Sequence, residues 1–378
     1  MDRIKQSQLV WLYQFFFYLV QIGFTGFLDR QMSFDNLSHF ATCPRGLESL
    51  LHAELITLGA KGVTVASGGV RFKTDLAGCY RINLQSRLST RILRSVSERA
   101  YRNEQDVYEA ARALPWHRWF SVDRSLRVDI NAVRSPLKSL DFATLRVKDG
   151  ICDRFRAETG RRPNVDTRLP DVRISAFLNA NELFLYLDTS GEPLYKRGYR
   201  ARAVEAPLRE NLAAGIIALS GWTPDQALMD PMCGGGTLIA EAAILGLNIA
   251  PGLGRGFGFE RLADFDAGIW QEVRSAAELQ RQSNRKLALF ASDLHYRVVE
   301  SARENFRAAG IIEQVTLKQA SATDLRPPAA EGVMVMNPPY GERLGDKSSL
   351  AEFYPRLGDW LKQYFAGWRA YLFSGDPE

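Results

Sequence analysis

The chain has 378 residues, 46% of them hydrophobic and 24% charged, with a formal net charge of +5. This is ordinary for soluble globular protein and leaves room for two or three domains with their own cores. Its four cysteines (Cys43, Cys79, Cys152, Cys233) and four histidines are scattered with no CxxC pair, which argues against a disulfide framework or a metal centre. Free thiols, a reducing cytoplasmic setting and a monomer without metal are the expectation.

The first 31 residues stand apart. Leu9–Leu28 is an uncharged apolar run preceded by Asp2, Arg3 and Lys5. It reads as a membrane anchor, as an extra docked helix, or as sequence upstream of a start at Met32. The glutamines and glycines within it, and the globular pattern that begins after Met32, favour the last, so no membrane association is expected. From Leu37 the pattern predicts strands over 37–43, 63–67, 69–74 and 91–101 and helices over 46–58 and 76–90, a small α+β layer. A strand over 124–133 follows, then an amphipathic helix over 142–160 closed by Gly160, then a hairpin over 171–191 turning at Asn179-Ala180-Asn181. Residues 194–207 read as a basic connector. Beyond Leu208 helices and strands alternate, with strands over 227–231, 287–293, 315–324, 332–340 and 368–375, the rhythm of a parallel α/β sheet.

Charge separates the two halves. Residues 32–200 carry 27 Lys and Arg against 19 Asp and Glu, whereas residues 201–378 carry 18 against 22. A basic front module suits a polyanion, and the back module is left to do chemistry.

Three motifs carry that chemistry. The first, Asp230-Pro231-Met232-Cys233-Gly234-Gly235-Gly236-Thr237, lies on a strand-to-helix turn where glycines let backbone approach a ligand. It fits neither the G-x-G-x-x-G dinucleotide fingerprint nor a phosphate loop, which needs a lysine. The second is Asp293, closing the next strand, where a carboxylate can accept both hydroxyls of a ribose; an insertion over 248–270 separates it from the glycines. Asp324, at the end of the third strand, is placed to accept from an adenine amine. The third motif is Asn337-Pro338-Pro339-Tyr340-Gly341-Glu342-Arg343, closing the fourth strand. The prolines remove backbone donors and fix φ, leaving carbonyls free. The Asn337 amide oxygen and the Pro338 carbonyl can together accept both hydrogens of an exocyclic NH2, and Tyr340 offers a face for a flipped base.

These residues resemble the class I S-adenosylmethionine methyltransferases with an NPPY-type motif. The segments CPRGLESLLHAEL, SGGVRF, RPNVDTRLPDVRI, LYKRGYRARAVEAPLRENLAA, DPMCGGGTLIAEAA, IAPGLGRGFGFE and NPPYGER are similar, in the same order, to the THUMP-containing RNA guanine-N2 methyltransferases. The likeness is strongest to the amino-terminal half of the RlmL family acting on large-subunit (23S) ribosomal RNA. The resemblance implies an α/β fold: a Rossmann-like class I methyltransferase domain over 208–378, preceded by an α+β module. That module comprises a ferredoxin-like domain over 32–77, a THUMP RNA-binding domain over 78–190 and a linker over 191–207. It implies S-adenosylmethionine as cofactor, with Asp230, Pro231, Gly234 and Gly236 along its methionine part, Asp293 on the ribose and Asp324 near the adenine. Asn337, Pro338, Pro339 and Tyr340 would hold the target amine, and Pro207, Arg209 and Asn211 would lie in the lead-in that closes over the cofactor. Gly235 replaces a more usual serine, and His295 stands where a second acid often follows. Relative to the family the chain stops after its fifth strand, which would leave that strand as an exposed edge. Two other readings stay open: an adenine-N6 methyltransferase and a non-catalytic RNA-binding assembly factor.

Overall fold

The computed structural model describes residues 37–200, 208–338 and 347–373. The apolar segment 1–31, Pro207, Pro339 and Tyr340 lie outside the described residues. The front half is built from β1 (Leu37–Thr42), α1 (Glu48–Thr57), β2 (Lys61–Ala66), β3 (Gly69–Thr74), α2 (Leu76–Gln85) and β4 (Arg91–Ala100). It continues through α3 (Glu104–Arg112), β5 (Leu126–Ala132), α4 (Leu140–Thr159), β6 (Val172–Leu178) and β7 (Glu182–Asp188). All seven strands form one sheet in the order β2-β3-β1-β4-β7-β6-β5. The ten-residue β4 is the seam: its first half pairs with β1 (Arg94 opposite His39) and most of its length with β7 (Arg99 opposite Leu183). The two front layers therefore share a strand, and the sheet continues past residue 77, where the sequence suggested a boundary.

Two helices were not foreseen. In α3, Asn103 accepts from the N–H groups of Gln105 and Asp106 while Asp106 returns a bond to the Asn103 N–H, a reciprocal cap. The 160-side helix ends as expected, with Gly160 at φ 71°.

The back half runs α5 (Glu210–Leu219), β8 (Leu228–Asp230), α6 (Thr237–Gly246), α7 (Ala267–Leu279), β9 (Leu289–Asp293), α8 (Tyr296–Ala308), β10 (Val315–Gln319), β11 (Gly332–Met336), α9 (Lys347–Tyr364) and β12 (Trp368–Leu372). Its five strands are all parallel, in the order β10-β9-β8-β11-β12. The unbroken apolar run of β11, GVMVM, is buried throughout, as a central strand covered on both faces must be.

The second unforeseen helix, α7, begins at the end of the 248–270 insertion and runs beyond it, and this region binds the halves together. Tyr80 of α2 stacks on Phe259 with ring centroids 4.3 Å apart, and Trp270 meets Phe259 edge-on at 5.1 Å. The Tyr80 hydroxyl accepts from the Asp266 N–H at 3.0 Å. Arg94 of β4 reaches Asp264 at 2.7 Å. Arg255 donates to the carbonyls of Ser190, Glu192 and Pro193. Phe257, Phe259, Leu262 and Trp270 thus belong to the same buried core as the front sheet. The described part of the connector, 194–200, is equally fixed: Arg197, 5% exposed, donates to the Leu194 and Arg87 carbonyls and pairs with buried Glu241 of α6, which also accepts from the Tyr199 hydroxyl.

Candidate active site at the carboxyl edge of the parallel sheet

β8 is the first strand of the parallel sheet, with later strands on either side, so the strand order reverses beside it. Open parallel sheets bind ligands at the carboxyl edge where such a reversal opens a crevice. The pairing sets the levels of the candidate residues there. Asp230 closes β8 opposite Ala291 of β9, so Asp293 stands two residues further out. Met229 lies opposite Met334 of β11, so Asn337 also extends beyond Asp230 on the other side. Across the edge the order is Asp324 after β10, Asp293, Asp230, then Asn337. The carboxylates and the amide, far apart in sequence, converge because parallel strands bring every carboxyl end to one side.

The glycine loop is held from below. The Cys233 N–H donates to the Ser292 carbonyl at 2.8 Å, the Gly234 N–H to Asp293 Oδ2 at 3.0 Å, and Asn305 Nδ2 to the Gly235 carbonyl at 2.9 Å. Gly234 has φ +53°, and a Cβ there would point into open space; it leaves a cradle at the loop's mouth. Gly236, at φ +77°, works differently: a Cβ would fall 2.4 Å from Phe306 of α8, so this glycine lets α6 and α8 close together. Pro231 accepts from Ser292 Oγ at 3.3 Å. Asp293 Oδ1 accepts from the His295 N–H at 3.1 Å. Each of its oxygens thus has one protein donor and a lone pair to spare for a diol.

Asp230 is 2% exposed, and its Oδ1 accepts from the Met232 N–H at 3.1 Å. Burial, and then the charge of Asp293, push its carboxyl up to about 8, so it is protonated at neutral pH. The folded-state value lies above the ordinary one near 3.8. The stability this group contributes is therefore complete below about pH 4 and is lost as pH rises through about 8. Asp230→Asn is accordingly expected to raise the melting temperature more at pH 8.5 than at pH 4.5; an equal shift at both would show that Asp230 is not buried as a neutral acid.

Asn337 Oδ1 is buried and has no hydrogen-bond partner among the described residues, and Pro338 beside it is buried. A buried acceptor left bare is costly unless something else uses it. Asp324, exposed on the turn Ala322–Asp324, is presented by a clamp the motifs did not reveal. Arg326 Nη1 donates to the carbonyls of Leu325 (2.9 Å) and Asp324 (3.3 Å), its guanidinium lies 3.7 Å over the Tyr364 ring, and Trp360 Nε1 donates to the Leu325 carbonyl at 3.0 Å. Tyr364 and Trp360 come from α9, so no local sequence signal could pair them with residue 326.

Asn211 is fully buried in α5, and its Nδ2 donates to Thr90 Oγ1 (2.9 Å) and the Leu88 carbonyl (3.3 Å) of the front module. That side of the amide ties α5 to the front module, while its Oδ1 is buried with no hydrogen-bond partner among the described residues. Arg209, exposed ahead of α5, lies 5.3 Å over the Tyr195 ring. Among the described residues there is no group of three or more His, Cys, Asp or Glu able to hold a metal ion, and no helix is long and apolar enough to cross a membrane.

Comparison with known proteins agrees with this architecture. Residues 38–93 match the RlmL ferredoxin-like domain, 101–188 the THUMP domain and 197–378 the RMKL-like methyltransferase domain. The chain is 39% identical over 339 residues to slr0064 of Synechocystis sp., described as a candidate RNA methyltransferase, covering 89% of this chain and 88% of that one. The chain belongs to the RlmL-type family of THUMP-containing methyltransferases. It is 42% identical over 346 residues to the ribosomal RNA large subunit methyltransferase K/L of Photobacterium profundum. That match takes in 90% of this chain and 49% of the relative, so the chain spans about half the length of the K/L proteins it matches. Among solved structures, SMU.472, a candidate methyltransferase complexed with SAH, superposes with a TM-score of 0.82 at 32% identity, covering 90% of each chain. The ferredoxin-like match ends at residue 93, three residues into β4, and the THUMP match opens at 101, just after it; β4 is the strand the two layers share.

Proposed function

We propose that the chain transfers the methyl group of S-adenosylmethionine to the exocyclic N2 amine of a guanine in 23S ribosomal RNA. The observation that carries the reading is the bare, buried Oδ1 of Asn337 at the carboxyl edge of β11, beside a glycine loop whose open side faces no protein atom at Gly234. The family membership supports S-adenosylmethionine as cofactor, and the K/L relatives support ribosomal RNA as substrate.

The residues fit that cofactor. Asp293 offers two oxygens to a ribose, Gly234 leaves space where a side chain would intrude, and Asp324 stands beyond Asp293 toward an adenine. The cofactor supplies an electrophilic methyl group on a sulfonium. Asn337 Oδ1 and the Pro338 carbonyl would accept the two hydrogens of the target amine and hold its nitrogen toward that methyl. The lone pair of that nitrogen is shared with the ring, so accepting both of its hydrogens would draw it toward a tetrahedral, more nucleophilic form, and positioning would supply most of the rest; the cofactor would leave as its neutral thioether and the extra proton on nitrogen would pass to these acceptors and on to water. Buried, neutral Asp230 keeps the crevice floor free of a second negative charge beside Asp293.

The deciding experiment is methyl transfer from labelled S-adenosylmethionine to 23S rRNA, followed by nucleoside mass spectrometry. N2-methylguanosine is expected. N6-methyladenosine would shift the target to adenine, and cofactor binding without transfer would point to an assembly factor. The clamp gives a second test. Arg326→Ala should raise KM for S-adenosylmethionine several-fold while leaving KM for RNA unchanged, because it loosens only the Asp324 turn. An unchanged cofactor KM would detach that turn from the cofactor site.

A further inference from the structure

The proposed chemistry gives Asp293 the ribose, Asp324 the adenine and Asn337 the target amine, and leaves Asp230 with nothing to hold. The sheet fixes where Asp230 stands. β8 lies between β9 and β11. Asp230 is level with Ala291, two residues short of Asp293, and Met229 is level with Met334, so Asn337 stands two residues beyond Asp230 on the other side. The two flanking strands are about 10 Å apart, twice the usual spacing between neighbours. Asp230 is therefore recessed below the middle of the line from Asp293 to Asn337. In S-adenosylmethionine the sulfur is bonded both to the ribose side and to the methyl that is transferred. With the ribose on Asp293 and the amine on Asn337, the sulfonium falls over the end of β8, above Asp230.

The surroundings of Asp230 hold no positive charge to meet it. It is 2% exposed, and its Oδ1 accepts only the Met232 N–H among the described residues. β9 brings Asp293, of like charge. Glu241, the one ionisable residue of α6, is engaged by Arg197. β11 has no ionisable side chain. α9 packs Leu357, Trp360 and Phe365 into the cluster that contains Met229, while its Arg356 and Asp359 are exposed. The buried Cys233 thiol is pushed up by its own burial and by both carboxyls, so it stays uncharged. A carboxyl so placed keeps its proton, and its value stands at about 8. A positive charge set above it in this poorly screened site reverses the balance.

We infer that Asp230 gives up its proton when the sulfonium settles above it and takes one back when that charge is gone, so that the crevice holds S-adenosylmethionine more tightly than the thioether left after transfer. Asp230 thus tells substrate from product by charge. On transfer the sulfur keeps the electron pair of the broken S–C bond, the thioether is neutral at sulfur, and Asp230 recovers its proton from water. The inference rests on the methyl-transfer reading and adds to it the residue that favours release of the spent cofactor.

The test uses the full chain without RNA. Calorimetry in two buffers of different ionisation enthalpy counts the protons released on binding. At pH 7, S-adenosylmethionine should release close to one proton and S-adenosylhomocysteine, which keeps the ammonium but lacks the sulfonium, far less. Wild-type affinity for S-adenosylmethionine should rise roughly ten-fold or more from pH 6 to pH 8 and flatten above, because the ionised form is the one that binds it. Asp230→Asn should release no proton, lose that pH dependence and bind the two ligands with more similar affinities. Difference infrared spectra give an independent readout in the wild type alone: S-adenosylmethionine should remove a protonated-carboxyl band that S-adenosylhomocysteine leaves in place. Equal proton release for both ligands, release that persists in Asp230→Asn, or an unchanged carboxyl band overturns the inference. If the wild type binds S-adenosylmethionine without releasing a proton, only this inference falls. If it binds no S-adenosylmethionine, the methyl-transfer reading falls with it.

Discussion

Asn337→Ala is expected to slow methyl transfer roughly 100-fold or more while leaving S-adenosylmethionine affinity close to that of the wild type. The amide oxygen of Asn337 is buried without a partner among the described residues, so it is free to accept from the target amine. Removing one orienting acceptor at a reacting centre has an effect of this size. The contrast is Asp293→Ala. Asp293 anchors the glycine loop through the Gly234 N–H and has acceptor capacity left for a ribose, so its loss should first raise the cofactor dissociation constant. Calorimetry with the cofactor and a labelled-transfer assay separate the two effects. If Asn337→Ala retained full activity, or lost cofactor affinity in step with rate, the amide would not be holding the amine.

Glu241→Ala should be the most destabilising single replacement at the junction, by about 3–5 kcal/mol, because it strands a buried charge. Arg197 and Glu241 have side chains only 3% and 0% exposed and meet at 3.4 Å, and Glu241 is also the acceptor for the Tyr199 hydroxyl. Replacing both charges, Arg197→Met with Glu241→Leu, should recover part of the loss, since an apolar pair of similar volume needs no desolvation. The Tyr199 hydroxyl and the Leu194 and Arg87 carbonyls would then each lack a partner, at about 1–3 kcal/mol apiece. Denaturant midpoints of the three proteins decide this. A double variant no more stable than Glu241→Ala would show that the site depends on shape instead of charge. Because the pair ties the connector to α6, the single variant should also lose RNA methylation at temperatures where the cofactor still binds.

The sequence by itself determined where the elements lie and which motifs close which strands. The alternation in RSLRVDINAV and in VRISAFL marks strands because side chains on a pleat alternate faces, and the unbroken GVMVM marks a central strand because both its faces are covered. The Asp230 and Asn337 motifs were legible because glycines permit backbone conformations that other residues avoid and prolines fix φ locally. What sequence could not supply is whatever depends on partners distant along the chain. α3 was missed because it is short and strongly polar on its open face; its evidence is a cap of three residues at Asn103. The insertion read only as extra spacing before Asp293, yet Phe259 and Trp270 find their use against Tyr80, some 180 residues earlier. The Asn211 amide nitrogen reaches Thr90, 121 residues earlier, because α5 buries that face on the front module. Asp230 looks like any acidic strand end in sequence. Only the closed sheet, by removing it from water and setting Asp293 beside it, makes it a neutral acid at pH 7.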